Sequence, residues 1–415
     1  MKPRTPSTPL VTSSTGRRKV LLLENIHPDA AAQFNRAGYT VETLPTSPTA
    51  EELTRRIRDV SILGIRSKTS ITKAILDSAE RLVAVGAFCI GTDHVDLATC
   101  TERGIAVFNA PYSNTRSVVE LALAEMIVLL RNVFDKSVKA HAGVWDKSAG
   151  GCFEIRGKKL GIVGYGNIGS QLSVLAEALG MDVHFYDVVD RLALGNATKS
   201  PSLDALLLKC DIVTLHVDGR AANANLLGPR EIARMKRGSI LLNLSRGSVV
   251  DLAALAKHLR SGRIAGAAID VYPREPRGNA EAFSCELQGI PNVILTPHVG
   301  GSTEEAQDNI GQFVTAKLLD FVNAGNTHLS VNLPQLQLPE LGNAHRLIHI
   351  HENQPGVLAK INGILARHDI NILGQYLKTN ERVGYAITDV GAKYDSAVIE
   401  ALKRVAHTIT FRVLY

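Results

Sequence analysis

The sequence predicts an α/β chain: two doubly wound parallel-sheet domains, Rossmann and flavodoxin-like in kind, followed by a ferredoxin-like βαββαβ unit. Three observations carry this. Short apolar runs at 20–23, 41–44, 60–65 and 82–85 are separated by helical stretches such as 50–58 and 72–79, and such alternation gives parallel strands because each return needs a crossover. A buried strand at 159–163 runs into Gly164-Tyr165-Gly166-Asn167-Ile168-Gly169 and then a helix, on which Ile168, Leu172, Leu175 and Leu179 recur at helical spacing. Beyond Pro334 and Pro339 the pattern restarts as strand 346–351, helix 355–367, strands 370–378 and 383–390, helix 396–405 and strand 408–414.

Taken in order, residues 1–17 are rich in Pro, Ser and Thr, lack an apolar core and read as a flexible tail rather than a secretory signal. Residues 18–113 and 301–335 are expected to form one discontinuous domain, to which a helix at 303–323 returns the chain. Residues 114–300 form the second domain and 343–415 the third, with Leu336, Leu338 and Leu341 in the linker. The nearly all-apolar stretch 117–130 implies burial between lobes rather than a solvated face. A chain of 415 residues, 45% hydrophobic and 21% charged, has room for about three domains.

The net charge of +6 is mild and scattered, which argues against nucleic acid and suits acidic metabolites. Five cysteines without CxxC spacing argue against a disulfide framework or a metal site, and a reducing, cytoplasmic setting is expected. No stretch approaches a membrane span of about 18 apolar residues.

The glycine pattern alone would be weak evidence for a nucleotide, but its context is complete. Gly164 permits the tight turn, Gly166 lets the backbone approach a pyrophosphate, Gly169 allows close helix packing, and the helix N-terminus offers free N–H groups. A second strand, 182–186, delivers Asp187 to the adenosine ribose hydroxyls. A carboxylate there repels a 2′-phosphate and Val188 and Val189 supply no cation, so NAD is expected over NADP, with Arg191 the one reservation.

Three ionisable residues follow later strand-like runs: Arg246 after 240–244, Glu275 after 267–271 and His298 after 293–296. Ligands of open parallel sheets sit outside the carboxyl ends of the strands. A fixed guanidinium fork, a carboxylate and an imidazole delivered there make a carboxylate anchor, a tuning acid and a proton carrier.

Ordered blocks then carry a resemblance over essentially the whole chain. They include Phe88-Cys89-Ile90-Gly91-Thr92, Phe108-Asn109-Ala110-Pro111, Ser113-Asn114-Thr115-Arg116-Ser117-Val118, Ser245-Arg246-Gly247, Ala268-Ile269-Asp270-Val271, Pro297-His298-Val299-Gly300-Gly301-Ser302-Thr303 and His349-Ile350-His351-Glu352-Asn353. The chain resembles the D-isomer-specific 2-hydroxyacid dehydrogenase family, in its form with a C-terminal ACT domain.

The resemblance implies NAD-dependent oxidation of D-3-phosphoglycerate to 3-phosphohydroxypyruvate, the first step of L-serine biosynthesis, with L-serine as inhibitor; a dehydrogenase for another 2-hydroxy acid, such as 2-hydroxyglutarate, is the alternative. It assigns catalysis to Arg246, Glu275 and His298. Cofactor contacts fall on Tyr165, Gly166, Asn167, Ile168, Asp187, His216, Val217, Ser245, Asp270, Gly300 and Gly301. Substrate contacts fall on Arg66, Ser67, Asn114 and Gln307, with Lys147 and Trp145 reaching an adjacent subunit of a tetramer. Regulatory serine falls to His351, Asn353 and Asn371 between paired ACT domains. The chain departs from the family pattern at Asp218-Gly219-Arg220, where a proline usually follows Val217, and in lacking a lysine between Thr40 and Glu52.

Overall fold

The computed structural model describes residues 18–276, 281–340, 342–391 and 394–414; the expected tail 1–17 and Leu341 lie outside them. The chain forms two compact units, one made of the part before Tyr112 and the part from Gln307 on, the other of Tyr112–Ala306.

The first unit opens with β1 (Lys19–Leu22), β2 (Thr40–Thr43), β3 (Val60–Ile65), β4 (Ala84–Ala87) and β5 (Ala106–Phe108). They form a parallel sheet in the order β2-β1-β3-β4-β5, the flavodoxin-like arrangement. The strand expected at 82–85 starts two residues later, and β5 is too short for alternation to reveal. Helix Glu304–Ala324 returns to this sheet, and its Ile310, Val314, Leu318 and Phe321 share a core with Val20, Ile62 and Phe108.

The second unit holds β6 (Lys159–Val163), β7 (Asp182–Tyr186), β8 (Thr198–Lys199), β9 (Ile212–Leu215), β10 (Ser239–Asn243), β11 (Ile264–Ile269) and β12 (Val293–Leu295). All are parallel, in the order β12-β11-β10-β9-β6-β7-β8, so the chain reverses direction across the sheet between β6 and β9. Strand alternation divides the two faces: Leu241 packs into the core with Leu252, Leu255 and Leu259, whereas Ile240 and Leu242 face Val118, Met126 and Leu172. Helix Thr115–Leu130 is one-sided within this unit, contrary to the burial expected from its composition. Val118, Val119, Ala122, Met126 and Leu129 are buried while Ile127 is 41% exposed and Arg116 pairs with Glu120 on the outside.

The chain ends in the first unit with β13 (His345–Glu352), β14 (Ile372–Thr379), β15 (Val383–Val390) and β16 (Thr408–Leu414), an antiparallel sheet in the order β14-β15-β13-β16. Helices Val357–Arg367 and Ser396–Lys403 complete βαββαβ and pack on Leu347. The other sheet face, with Ile348, Ile350, Tyr385 and Ile387, joins the core around Phe321. The last carbonyls of helix Glu304–Ala324, which have no partner within a helix, and that of Gly325 just beyond it are taken up from this sheet: Arg412 donates to Val322 O (3.2 Å), Arg346 to Ala324 O (2.7 Å) and the Tyr385 hydroxyl to Gly325 O (2.8 Å). The expected linker is tied down as well, with Leu338 8% exposed and its N–H donating to Asn326 Oδ1.

Candidate active site

The glycine loop between β6 and helix Asn167–Ala178 lies beside the point where the sheet order reverses. Gly164 takes φ +91°, and a Cβ there would stand 2.5 Å from His216 O. A Cβ on Gly169 would come within 2.2 Å of Gly164 O, so the helix can sit this close only on glycine. Around Gly166, by contrast, a Cβ would meet nothing within 4 Å. That open cradle at a helix N-terminus fits a pyrophosphate, with the N–H groups of Asn167 and Ile168 at its edge.

Asp187, at the end of β7, accepts from Tyr165 N and Val189 N, both at 2.8 Å, and Arg191 stands 3.7 Å away. Tyr165 offers only its backbone, because its ring is buried, stacked on Phe185 and hydrogen-bonded to Ser173. His216 donates its N–H to Val163 O, and its ring, which burial drives down to a pKa of about 4, meets Thr214 at 3.0 Å beside half-buried Val217. Asp218 is bound by Arg220 and Asn223, which closes the departure from the family proline into a local salt bridge.

The three ionisable residues come from the ends of neighbouring strands. At the end of β10, buried Asn243 accepts from Ser245 N and Oγ and donates to Arg246 O, fixing the turn that presents Arg246. A Cβ on Gly247 would lie 1.9 Å from Tyr272 C, so this turn seats directly on the segment leading to Glu275. Glu275 Oε1 accepts from Tyr272 N (3.1 Å) and its Oε2 meets His298 Nδ1 at 2.8 Å. The Tyr272 hydroxyl bridges Ile269 O and Thr296 O, linking β11 to the histidine loop.

His298 itself has φ +56°, an uncommon backbone for a residue with a side chain. Asp270 holds it there: Oδ1 accepts from Thr296 Oγ1 (2.6 Å) and Val299 N (2.8 Å), and Oδ2 from Gly300 N (2.8 Å). Asp270, expected to touch the cofactor, therefore serves first to build the 296–300 loop. Asn114 lies against Gly301, where a Cβ would fall 2.1 Å from its Nδ2.

The hydrogen bond that His298 donates to Glu275 raises the His298 pKa above its usual 6.5 against partial desolvation, with the Glu275 charge adding and Arg246 subtracting. Burial pushes Glu275 upward, but His298 outweighs it and holds the carboxyl below the ordinary range. The pair is an imidazole braced on one nitrogen by a carboxylate, with the other nitrogen available to a substrate.

In the first unit Arg66 and Ser67 follow β3. Buried Glu24, which the sequence reading did not single out, shapes this loop by accepting from the N–H groups of Arg66 (3.2 Å), Lys68 (2.9 Å) and Thr69 (2.9 Å). Gln307 lies in the first turn of helix Glu304–Ala324. In the second unit Lys136 and Lys139 pair with Asp146, leaving Trp145 87% exposed and Lys147 exposed beside it. On the antiparallel sheet His351 is buried, with Nδ1 on Glu352 O and Nε2 without a hydrogen-bond partner; Asn353 donates to Asn380 O and Asn371 is exposed.

Fold and site together define an NAD-dependent 2-hydroxyacid dehydrogenase. Residues 123–300 match the NAD-binding domain of the D-isomer-specific 2-hydroxyacid dehydrogenases, and residues 347–410 match an ACT domain like that of the AHAS small subunit. The chain is 48% identical to the D-3-phosphoglycerate dehydrogenase of Haemophilus influenzae, over 98% of this chain and 99% of that one. It is 50% identical to the enzyme of that name from Escherichia coli K12, over 96% and 97%. Among solved structures, the TT0316 protein of Thermus thermophilus is 29% identical with a TM-score of 0.67, covering 73% of this chain and 96% of that one. The chain belongs to the D-isomer-specific 2-hydroxyacid dehydrogenase family, among its D-3-phosphoglycerate dehydrogenases. Among the described residues no helix is long and apolar enough to cross a membrane.

Proposed function

We infer that the protein oxidises D-3-phosphoglycerate to 3-phosphohydroxypyruvate, the entry step to L-serine, and catalyses the reverse reduction. The observation that carries this is the His298–Glu275 pair at 2.8 Å, delivered with Arg246 from adjacent strand ends in a chain about half identical along its length to enzymes of that name. Bound NAD supplies the hydride acceptor, and the 164–169 loop with Asp187 would hold it.

His298 takes the C2 hydroxyl proton during oxidation and returns it to the alkoxide during reduction. Glu275 orients the imidazole and stabilises its charged form. Arg246 pairs its planar fork with the substrate carboxylate. Arg66 and Ser67 receive the phosphate, and Asn114 and Gln307 contact the rest of the substrate. Five free cysteines suit a cytoplasmic setting.

The test is NADH oxidation by the purified protein with 3-phosphohydroxypyruvate. Rapid turnover is expected, and Arg66→Ala should raise the KM for this keto acid far more than that for NADH. Turnover with 2-oxoglutarate but not with the phosphorylated acid would move the chain to a sister activity.

Feedback inhibition by L-serine, held by His351, Asn353 and Asn371 between two ACT domains, is part of this reading and is supported by the match of residues 347–410 to an ACT domain. Millimolar L-serine should suppress the rate, and an unchanged rate removes this part of the reading. A homotetramer is the proposed assembly, supported by exposed Phe134, Val138, Val144, Trp145 and Phe153 on the second unit. Light scattering at the mass of a single chain would overturn it.

A further inference from the structure

Helix Thr115–Leu130 carries a carboxyl group that the mechanism leaves unused. Glu125 is 4% exposed, and both of its oxygens are buried without a hydrogen-bond partner. Its helix neighbours Ala122 and Met126 belong to an apolar core. Helix Thr115–Leu130 packs against β11, at whose end Asp270 is itself 1% exposed, and the Asp270 charge acts on Glu125.

The two carboxyls are treated differently by the fold. Asp270 accepts from the Thr296 hydroxyl and the Val299 and Gly300 N–H groups, while Glu125 accepts from none. Two buried carboxyls that sense each other do not both ionise without large cost, and the one with donors keeps the charge. Glu125, which has no donor, is therefore the one that stays neutral.

We propose that Glu125 is a positioning residue: as a neutral acid it sets no second charge against Asp270 beneath the 296–300 loop, and its ionisation adds that charge and loosens the loop that carries His298. Tyr272, which bridges Ile269 O and Thr296 O, also senses both carboxyls. Asp270 in turn acts on His298 together with Glu275 and Arg246. Burial, with the Asp270 charge second, pushes Glu125 up to about 8. A group whose pKa is higher folded than unfolded contributes stability that is complete below the unfolded value and lost as pH rises through the folded one. For Glu125 that window runs from the ordinary 4.5 to about 8.

The kinetic half of this inference rests on the role given to His298, but the titration does not, so the two fail separately. Thermal unfolding of the full-length protein without cofactor is followed from about pH 5 to about pH 9, beside the pH profile of NADH oxidation. The parent should lose stability across the window with a linkage slope that approaches one proton, and its rate should fall on the alkaline side. Glu125→Gln, which copies the neutral acid, should remove that slope and hold its rate further into the alkaline range. Superimposable stability profiles for parent and Glu125→Gln overturn the inference. Should the glutamine variant not fold, Asp270→Asn provides the second reading: the slope should move to lower pH once the neighbouring charge is gone, and an unmoved slope also overturns it.

Discussion

Replacing His298 with alanine should lower turnover by about 10²–10⁴-fold, the usual contribution of a positioned acid–base group, while NADH still binds. The imidazole is remote from the Gly164–Gly169 cradle in sequence and takes no part in building it, so fluorescence titration should show near-parental NADH affinity. A variant with near-normal turnover would remove His298 from the mechanism.

The pH dependence sharpens this result. Oxidation needs the neutral imidazole, so its kcat/KM should rise with pH through a value above 6.5, whereas reduction needs the imidazolium and should fall through the same value. Glu275→Gln deletes the largest cause of the upward shift, and both inflections should move toward acid. The stability carried by the pair has the sign of a raised histidine: present below 6.5 and lost as pH rises through the folded value. Both side chains are partly exposed, so that contribution is small and the rate is the better readout. Inflections that stay in place in Glu275→Gln would detach the carboxylate from the histidine.

What the sequence made legible follows from what strands and helices impose locally. The runs 60–65, 159–163, 182–186, 383–390 and 408–414 coincide with β3, β6, β7, β15 and β16, because their continuous apolar or alternating residues leave little choice of start and end. By contrast β5 and β8 span three and two residues, too few for any period to show, and β9 follows helix Leu203–Lys209 so closely that its apolar run merges with it. Arg246, Glu275 and His298 were readable because a parallel sheet places chemistry beyond its carboxyl ends. The residues that support them, and the one that shapes the Arg66 loop, were not. Asn243, Glu24 and Asp270 are polar groups whose role is to accept from N–H groups of a turn, and that convergence exists only after the chain has folded. Glu125 was hidden for a related reason, since an acid within an apolar helix gives no sign of which charge it will face.

The βαββαβ unit provides the other large effect. Arg346, fully buried on β13, donates from Nε and Nη2 to the two oxygens of Asp389 on β15 at 2.7 and 2.8 Å. Nη1 donates to Ala324 O and Nη2 also to Pro339 O, so one side chain ties the sheet, the end of helix Glu304–Ala324 and the segment after it. Asp389→Asn keeps the shape but strands the guanidinium without its counter-charge, and breaking a buried pair from one side costs about 3–5 kcal/mol. Urea denaturation should show that loss, with the β13–β16 sheet melting before the parallel sheets. Inhibition by L-serine should disappear at lower urea than turnover does, because the proposed serine residues lie on or beside this sheet, whereas Arg66 and Ser67 follow a parallel strand and Arg246, Glu275 and His298 belong to the other unit. Replacing both partners together with Met at 346 and Leu at 389 should recover much of the stability, since the desolvation cost leaves along with the attraction. If Asp389→Asn unfolds at the parental urea concentration, the pair is not what holds the sheet to the helix, and the apolar contacts of Ile348, Tyr385 and Ile387 around Phe321 carry that junction instead.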